Sequence, residues 1–291
     1  MKILLLGNTG QLGWELQRAL QPLGEVAAFD YPEIDLADAA ALRATIHQQR
    51  PNLIVNATAY TAVDKAESEA ALAHAINAAG PGVLAEGARD LNAALIHYST
   101  DYVFDGAKGR FYVETDAPNP LNVYGQSKLA GEQAIQDVGG AYLILRTAWV
   151  YSTRRDSFVA KVLQWSRKNE NLKIVSDQVS NPTWARMLAG ITALLLAQAG
   201  PDRVGYFNEK RGLYHLAGSG YASRFEWAQR ILENDPHKDE QITRALEPAA
   251  TADFPTPAQR PLFSALDCAR FEQTFGLRLP EWQAALRLAM G

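Results

Sequence analysis

A glycine loop, Gly7-Asn8-Thr9-Gly10-Gln11-Leu12-Gly13, stands between a short apolar run and a longer amphipathic one. Few folds accept that order. The run before it, Ile3 to Leu6, stops at glycine as a buried parallel strand does. The segment after it, Gln11 to Leu20, carries Leu12, Leu16, Ala19 and Leu20 at helical spacing. Strand, turn and helix open a βαβ unit, in which glycines allow a tight turn and close approach of the backbone to a diphosphate. The helix N-terminus adds N–H donors and a favourable dipole. Gly7, Gly10, Gln11, Leu12 and Gly13 are therefore expected to hold a dinucleotide.

The alternation continues along the chain. Val26–Phe29, Leu53–Val55, Ala94–Tyr98, Tyr142–Leu145 and Leu172–Val175 read as strands. Ala39–Gln49, Ala70–Asp90, the stretch around Tyr124 and Phe158–Arg167 read as helices. This predicts an α/β fold, a doubly wound parallel sheet of Rossmann type. Residues 1–150 form the NAD(P)-binding part, with strands near 171–176 and 213–217 expected to return to the sheet. Beyond about residue 180, Pro182, Gly200-Pro201, Asp235-Pro236 and Phe254-Pro255-Thr256-Pro257 break the pattern. Residues 151–291 are thus expected to be mainly a smaller C-terminal substrate-binding lobe over the carboxyl edge of the sheet, where such folds bind ligands. The 291 residues suffice for this plan. A net charge of −4 gives no reason to expect nucleic acid as a partner. The single cysteine, Cys268, rules out an internal disulfide. No stretch reaches the 18 or more apolar residues of a membrane span, and the reading is of a cytoplasmic protein.

Asp30, 20 residues after Gly10, stands where an acid accepts hydrogen bonds from an adenosine ribose and repels a 2′-phosphate. Both NADH and NADPH are candidates, with Asp30 tilting the balance slightly to NADH. Asp35 and Leu36 are expected beside the adenine, with helix capping as the alternative for Asp35. Ala59, Tyr60 and Thr61 are expected along the diphosphate and nicotinamide ribose, with plain loop packing as the alternative for Tyr60. Tyr124 and Lys128 lie four residues apart, one helical turn, and so share a face. A phenol beside an ammonium is a general acid in waiting, because the positive charge favours the phenolate. Thr100, at the end of the fourth strand, brings a hydroxyl to the same edge.

Gly-x-x-Gly-x-x-Gly, then Thr100, then Tyr124-x-x-x-Lys128, in that order, resembles the extended short-chain dehydrogenase/reductase superfamily. Within it, Asn56–Glu67, Tyr98–Gly106, Pro120–Gly125, Arg146–Tyr151 and Pro255–Pro261 are similar to the dTDP-4-dehydrorhamnose reductase family. The likeness runs from Met1 to about Trp282. It implies reduction of the C4 keto group of a nucleotide sugar by NAD(P)H, for bacterial surface polysaccharide. Tyr124 would be the proton donor, Thr100 the carbonyl anchor, and Lys128 would lower the Tyr124 pKa and bind the nicotinamide ribose. It also implies substrate contacts at Asp101 and Trp149, and at Arg260 toward the diphosphate. Gln259 replaces a second arginine expected from the family pattern. Related 4,6-dehydratases carry Asp-Glu after the threonine. Here Thr100-Asp101-Tyr102 lacks that glutamate, which favours plain reduction. Some relatives dimerise through Mg²⁺ held by interface glutamates, for which Glu15 is the candidate in a homodimer. Another nucleotide-sugar reductase or epimerase, and a non-catalytic regulatory subunit of the same fold, remain open readings.

Overall fold

The computed structural model describes residues 1–291. Strands β1 (Lys2–Leu6), β2 (Glu25–Phe29), β3 (Leu53–Asn56), β4 (Ala94–Thr100) and β5 (Ala141–Thr147) join a sixth, Gly212–His215, in one parallel sheet. The order is Gly212–His215, β5, β4, β3, β1, β2. Alternate residues of a strand face opposite sides. In β1, Ile3 and Leu5 enter one core with Leu12, Leu16 and Leu20 of helix α1 (Gln11–Leu20). Leu4 and Leu6 enter the other with Leu42 and Ile46 of helix α2 (Ala39–Gln49) and Val83 and Leu84 of the helix Gly80–Asp90. Both faces are therefore covered, which is why the strands read as unbroken apolar runs. The strand order reverses between β1 and β3, and a crevice opens at their carboxyl ends.

Two expectations about the second half need correction. Asn171–Val175 is a strand, but it does not return to the large sheet. It pairs in parallel with Ala245–Ala249 in a separate two-stranded ribbon. The sequence explains why: Asn171 and Lys173 are exposed while Leu172 and Ile174 are buried, a one-faced pattern that a sheet covered on both sides would not tolerate. The lobe is also smaller than residues 151–291. The helix Ala185–Gln198 packs on α1, and its Leu188, Ile191 and Leu195 belong to the sheet's core, as do Phe207, Phe271 and Phe275. What remains has a core of its own around Tyr151, Val159, Val162, Trp184, Trp227, Ile231 and Trp282.

One buried ion pair ties the sheet to its cover. Arg146 on β5 meets Glu132 on the helix Val123–Val138 through two hydrogen bonds, Nε to Oε1 at 2.9 Å and Nη2 to Oε2 at 2.6 Å. Ser99 donates to the same carboxylate at 2.5 Å.

Candidate active site

A cleft of about 700 Å³ runs along the carboxyl edge of the sheet. Its floor at one end is the glycine loop. Gly7 has φ +89°, and a Cβ there would stand 2.9 Å from the Ala57 backbone. Gly13 does not line the cleft. A Cβ on it would meet the Gly7 carbonyl oxygen at 1.9 Å, so this glycine lets α1 pack close under the loop. Gly13→Ala should therefore displace the loop and weaken NAD(P)H binding at least about tenfold, because backbone cannot move aside as a side chain does. Titration of cofactor fluorescence checks it, and unchanged affinity would contradict this role. The N-cap of α1 is Gly10, with no side-chain capping bond and no acid in the first turn. Its N–H groups remain available to an anion. The loop and helix end thus fit a dinucleotide diphosphate.

Gly7, Gly10, Gln11, Leu12, Asp30, Asp35, Leu36, Ala59 and Thr61 all line this cleft. Gln11 bridges its walls, accepting from the Ser152 N–H at 2.7 Å. Asp30 braces the loop: it accepts from the Thr9 N–H at 3.0 Å, the Thr9 hydroxyl at 2.6 Å and the Tyr31 N–H at 2.8 Å. Asp35 faces the cleft and also accepts from the Ala37 N–H at 2.9 Å, so it caps a turn as well. Tyr60 takes the loop-packing alternative. Its hydroxyl turns away to Glu69 at 2.6 Å, and its backbone is gripped on both sides by Asn77 at 2.8 and 3.1 Å. Asn77 sits on a π-helical turn, Ala75–Ala79, which aims its amide there and at Ser127.

At the other end Thr100, Asp101, Tyr124, Lys128 and Trp149 line the same cleft. The helix carrying Tyr124 and Lys128 starts where Asn122 caps it, accepting from the Gly125 N–H at 2.8 Å. Tyr124 packs edge-on against Tyr102, ring centres 5.7 Å apart. Burial pushes the Tyr124 phenol above its ordinary range, opposed by its hydrogen bond with Thr100. Lys128 bonds to the Tyr98 carbonyl at 2.7 Å and to His97 at 3.2 Å, and burial brings its own pKa down to about 8. Asp101 is buried, accepting from Ser180 at 3.0 Å and Ser264 at 2.5 Å; burial raises its carboxyl, and those hydroxyls counter it. Trp149 holds a left-handed backbone, φ 39°, uncommon for a bulky residue and a form of strain found at working sites. Its ring stacks on Trp227 at 5.4 Å, with the Arg224 guanidinium 4.0 Å from its centre.

Arg260 does not line the cleft. It pairs with Asp64 at 2.9 Å, near enough to Tyr102 and Arg224 for its charge to act on both. Glu15 is engaged by Arg186 at 3.4 Å. No three His, Cys, Asp or Glu side chains gather anywhere as a metal site would need, so nothing supports Mg²⁺ at Glu15. Sequence reasoning missed Arg155, which bonds the Thr9 carbonyl and lines the cleft, and it missed Arg224 and His97. Only His97 left a local signal, a polar ring inside an otherwise apolar strand. No helix is long and apolar enough to cross a membrane.

Comparison with known proteins agrees over the whole length. The family model described as RmlD substrate binding domain matches residues 1–290. The chain is 42% identical over 294 residues to the dTDP-4-dehydrorhamnose reductase of Escherichia coli (strain K12), covering 99% of this chain and 96% of that protein. Among solved structures, a dTDP-4-dehydrorhamnose reductase of Clostridium acetobutylicum superposes with TM-score 0.91 at 33% identity, over 100% of this chain and 98% of the other. One from Bacillus anthracis, in complex with NADP, gives 0.89 at 31%, over 99% and 98%.

Proposed function

The chain belongs to the dTDP-4-dehydrorhamnose reductase family, and on that premise we propose that it reduces the C4 keto group of dTDP-4-dehydro-L-rhamnose to give dTDP-L-rhamnose. It is an NAD(P)H-dependent oxidoreductase. The observation that carries the finer reading is a single cleft lined by the glycine loop at one end and by Thr100, Tyr124 and Lys128 at the other. When bound, NAD(P)H supplies the hydride. The glycine loop and the uncapped end of α1 would hold its diphosphate, and Lys128 its nicotinamide ribose.

The protein's own groups handle the proton. Tyr124 keeps its proton through neutral pH, since burial disfavours the phenolate. That proton is available to the sugar oxygen as negative charge develops there. The Thr100 hydroxyl, at the same edge, donates to that oxygen and orients it. Asp101 and Trp149 shape the sugar end of the cleft, and Arg224 and Arg260 place two guanidinium groups beyond it for a diphosphate. On this reading the product would serve bacterial surface polysaccharide, and the reaction would be cytoplasmic.

The direct test is the decay of NAD(P)H absorbance with dTDP-4-dehydro-L-rhamnose generated in situ. Saturable oxidation is expected, and none at all would leave a binding module. Either cofactor fits the residues, and Asp30 is expected to discriminate between them. Asp30→Ala should raise the NADPH:NADH ratio of kcat/KM about tenfold, the effect of removing roughly 1.4 kcal/mol of like-charge repulsion from a 2′-phosphate. An unchanged ratio would leave Asp30 only its bracing of Thr9.

A further inference from the structure

Arg154 and Arg155 stand side by side in the loop 152–157 and go to different places. The Arg154 guanidinium lies 3.2 Å from the centre of the Trp14 ring on α1. Arg18 lies 3.3 Å from the same centre, so the indole is held between two cations. Gln11, at the start of that helix, accepts from the Ser152 N–H at 2.7 Å. The Ser157 hydroxyl donates to the Ser152 carbonyl at 2.8 Å and closes the loop. The loop comes from the lobe, between Tyr151 and Val159 of its core, and is pinned against the first turn of α1. Arg155 is exposed near its tip, bonds the Thr9 carbonyl and lines the cleft.

This guanidinium has no counter-ion. Its neighbour Asp156 pairs with Lys161 at 3.3 Å, and no carboxylate pairs with Arg155. The cleft is otherwise short of positive charge. Asp30, Asp35, Asp101 and Asp156 line it, against Lys128 and Arg155 alone. Lys128 is buried at the other end and bonded to the Tyr98 carbonyl. The glycine loop and the end of α1 offer N–H dipoles and no full charge. We propose that Arg155 binds the cofactor's diphosphate from the lobe side and supplies the charge that the glycine loop lacks. The proposal rests on that loop as the diphosphate site. A guanidinium carries five N–H donors, so Arg155 can keep the Thr9 carbonyl and still present a fork to phosphate oxygens. Thr9 also decides which phosphate. Its N–H and hydroxyl face Asp30 on the ribose side, whereas its carbonyl carbon is joined to Gly10, where the free N–H groups of α1 begin. The diphosphate is therefore favoured over a 2′-phosphate, and a residue of the substrate lobe takes part in holding the cofactor.

Titration of cofactor fluorescence in the full-length protein tests this without turnover. Arg155→Gln should weaken NADH and NADPH alike, each about ten- to hundredfold, as loss of a hydrogen bond to a charged group does. Arg155 is exposed, so the variant should fold as the parent does. The variant should also lose salt dependence: the parent's affinity should fall more steeply with added KCl, because an exposed charge contact is screened. A loss confined to NADPH would assign the guanidinium to the 2′-phosphate and overturn the proposal. Unchanged affinity for both cofactors would overturn it as well. Weaker binding with the parent's salt dependence would mean that the bond to Thr9 merely braces the loop, a third refutation. A parent that bound neither cofactor would refute the glycine loop as a dinucleotide site, and the proposal with it.

Discussion

Tyr124→Phe should lower kcat about 10²–10⁴-fold, the usual share of a positioned general acid, while NADPH affinity stays within about threefold of the parent. The two readouts separate because the substitution removes one hydroxyl from the sugar end of the cleft. The glycine loop, the end of α1 and Lys128 keep their places, since none of their hydrogen bonds involves the phenol. The phenylalanine ring also preserves the edge-on contact with Tyr102, and Thr100 retains its bonds to the Tyr102 N–H and to Asp101. Only the Tyr124 bond with Thr100 is lost, so the melting temperature should fall by no more than about 2–3 °C, too little to account for slow turnover. Steady-state rates and cofactor fluorescence titration measure both quantities. Turnover within about threefold of the parent would remove Tyr124 from the proton transfer and leave Thr100 or water as the donor.

What the sequence disclosed depended on range. The glycine loop, the Tyr124/Lys128 spacing and the strands buried on both faces are local patterns, each contained within one element or one turn. The electrostatics were not local. Lys128 was expected to act on Tyr124, its neighbour along the helix, yet its nitrogen is committed to β4, 30 and 31 residues away. For Tyr60 the local pattern leaves the cleft and loop packing both open, and Asn77, 17 residues on, decides it by holding the backbone. Arg155 reaches the glycine loop across 146 residues, and no spacing rule finds such a contact. The strand Asn171–Val175 did carry a readable sign, its exposed Lys173. That sign says which sheet the strand cannot join and not which partner it finds.

Glu132→Ala is the substitution expected to cost most stability. Its carboxylate and the Arg146 guanidinium have side-chain exposures of 2% and 3%, and the two-bond geometry joins the Tyr124/Lys128 helix to β5 in the interior of the sheet. Removing one partner leaves a buried charge uncompensated, which typically costs about 3–5 kcal/mol. Arg146 has no second carboxylate to turn to. Its Nη1 is already without a partner, and the Phe104 ring, 5.0 Å away, and the neutral His215 offer it no charge. Ser99 would lose its acceptor as well. For a chain of 291 residues the loss corresponds to a fall of roughly 5–8 °C in Tm. The two charges together are a different matter, because their attraction largely repays the desolvation of both. Glu132→Leu combined with Arg146→Met should therefore recover most of the stability lost by Glu132→Ala, measured by thermal or denaturant unfolding. A double variant as unstable as the single one would mean that the hydrogen bond from Ser99, and not the unpaired guanidinium, sets the cost. The same single variant also bears on the site. Glu132 is the charge that opposes the depressed Lys128 pKa. Its removal should lower the Lys128 midpoint further, as followed by NMR in ¹³Cε-lysine-labelled protein, and an unmoved midpoint would remove Glu132 from that role.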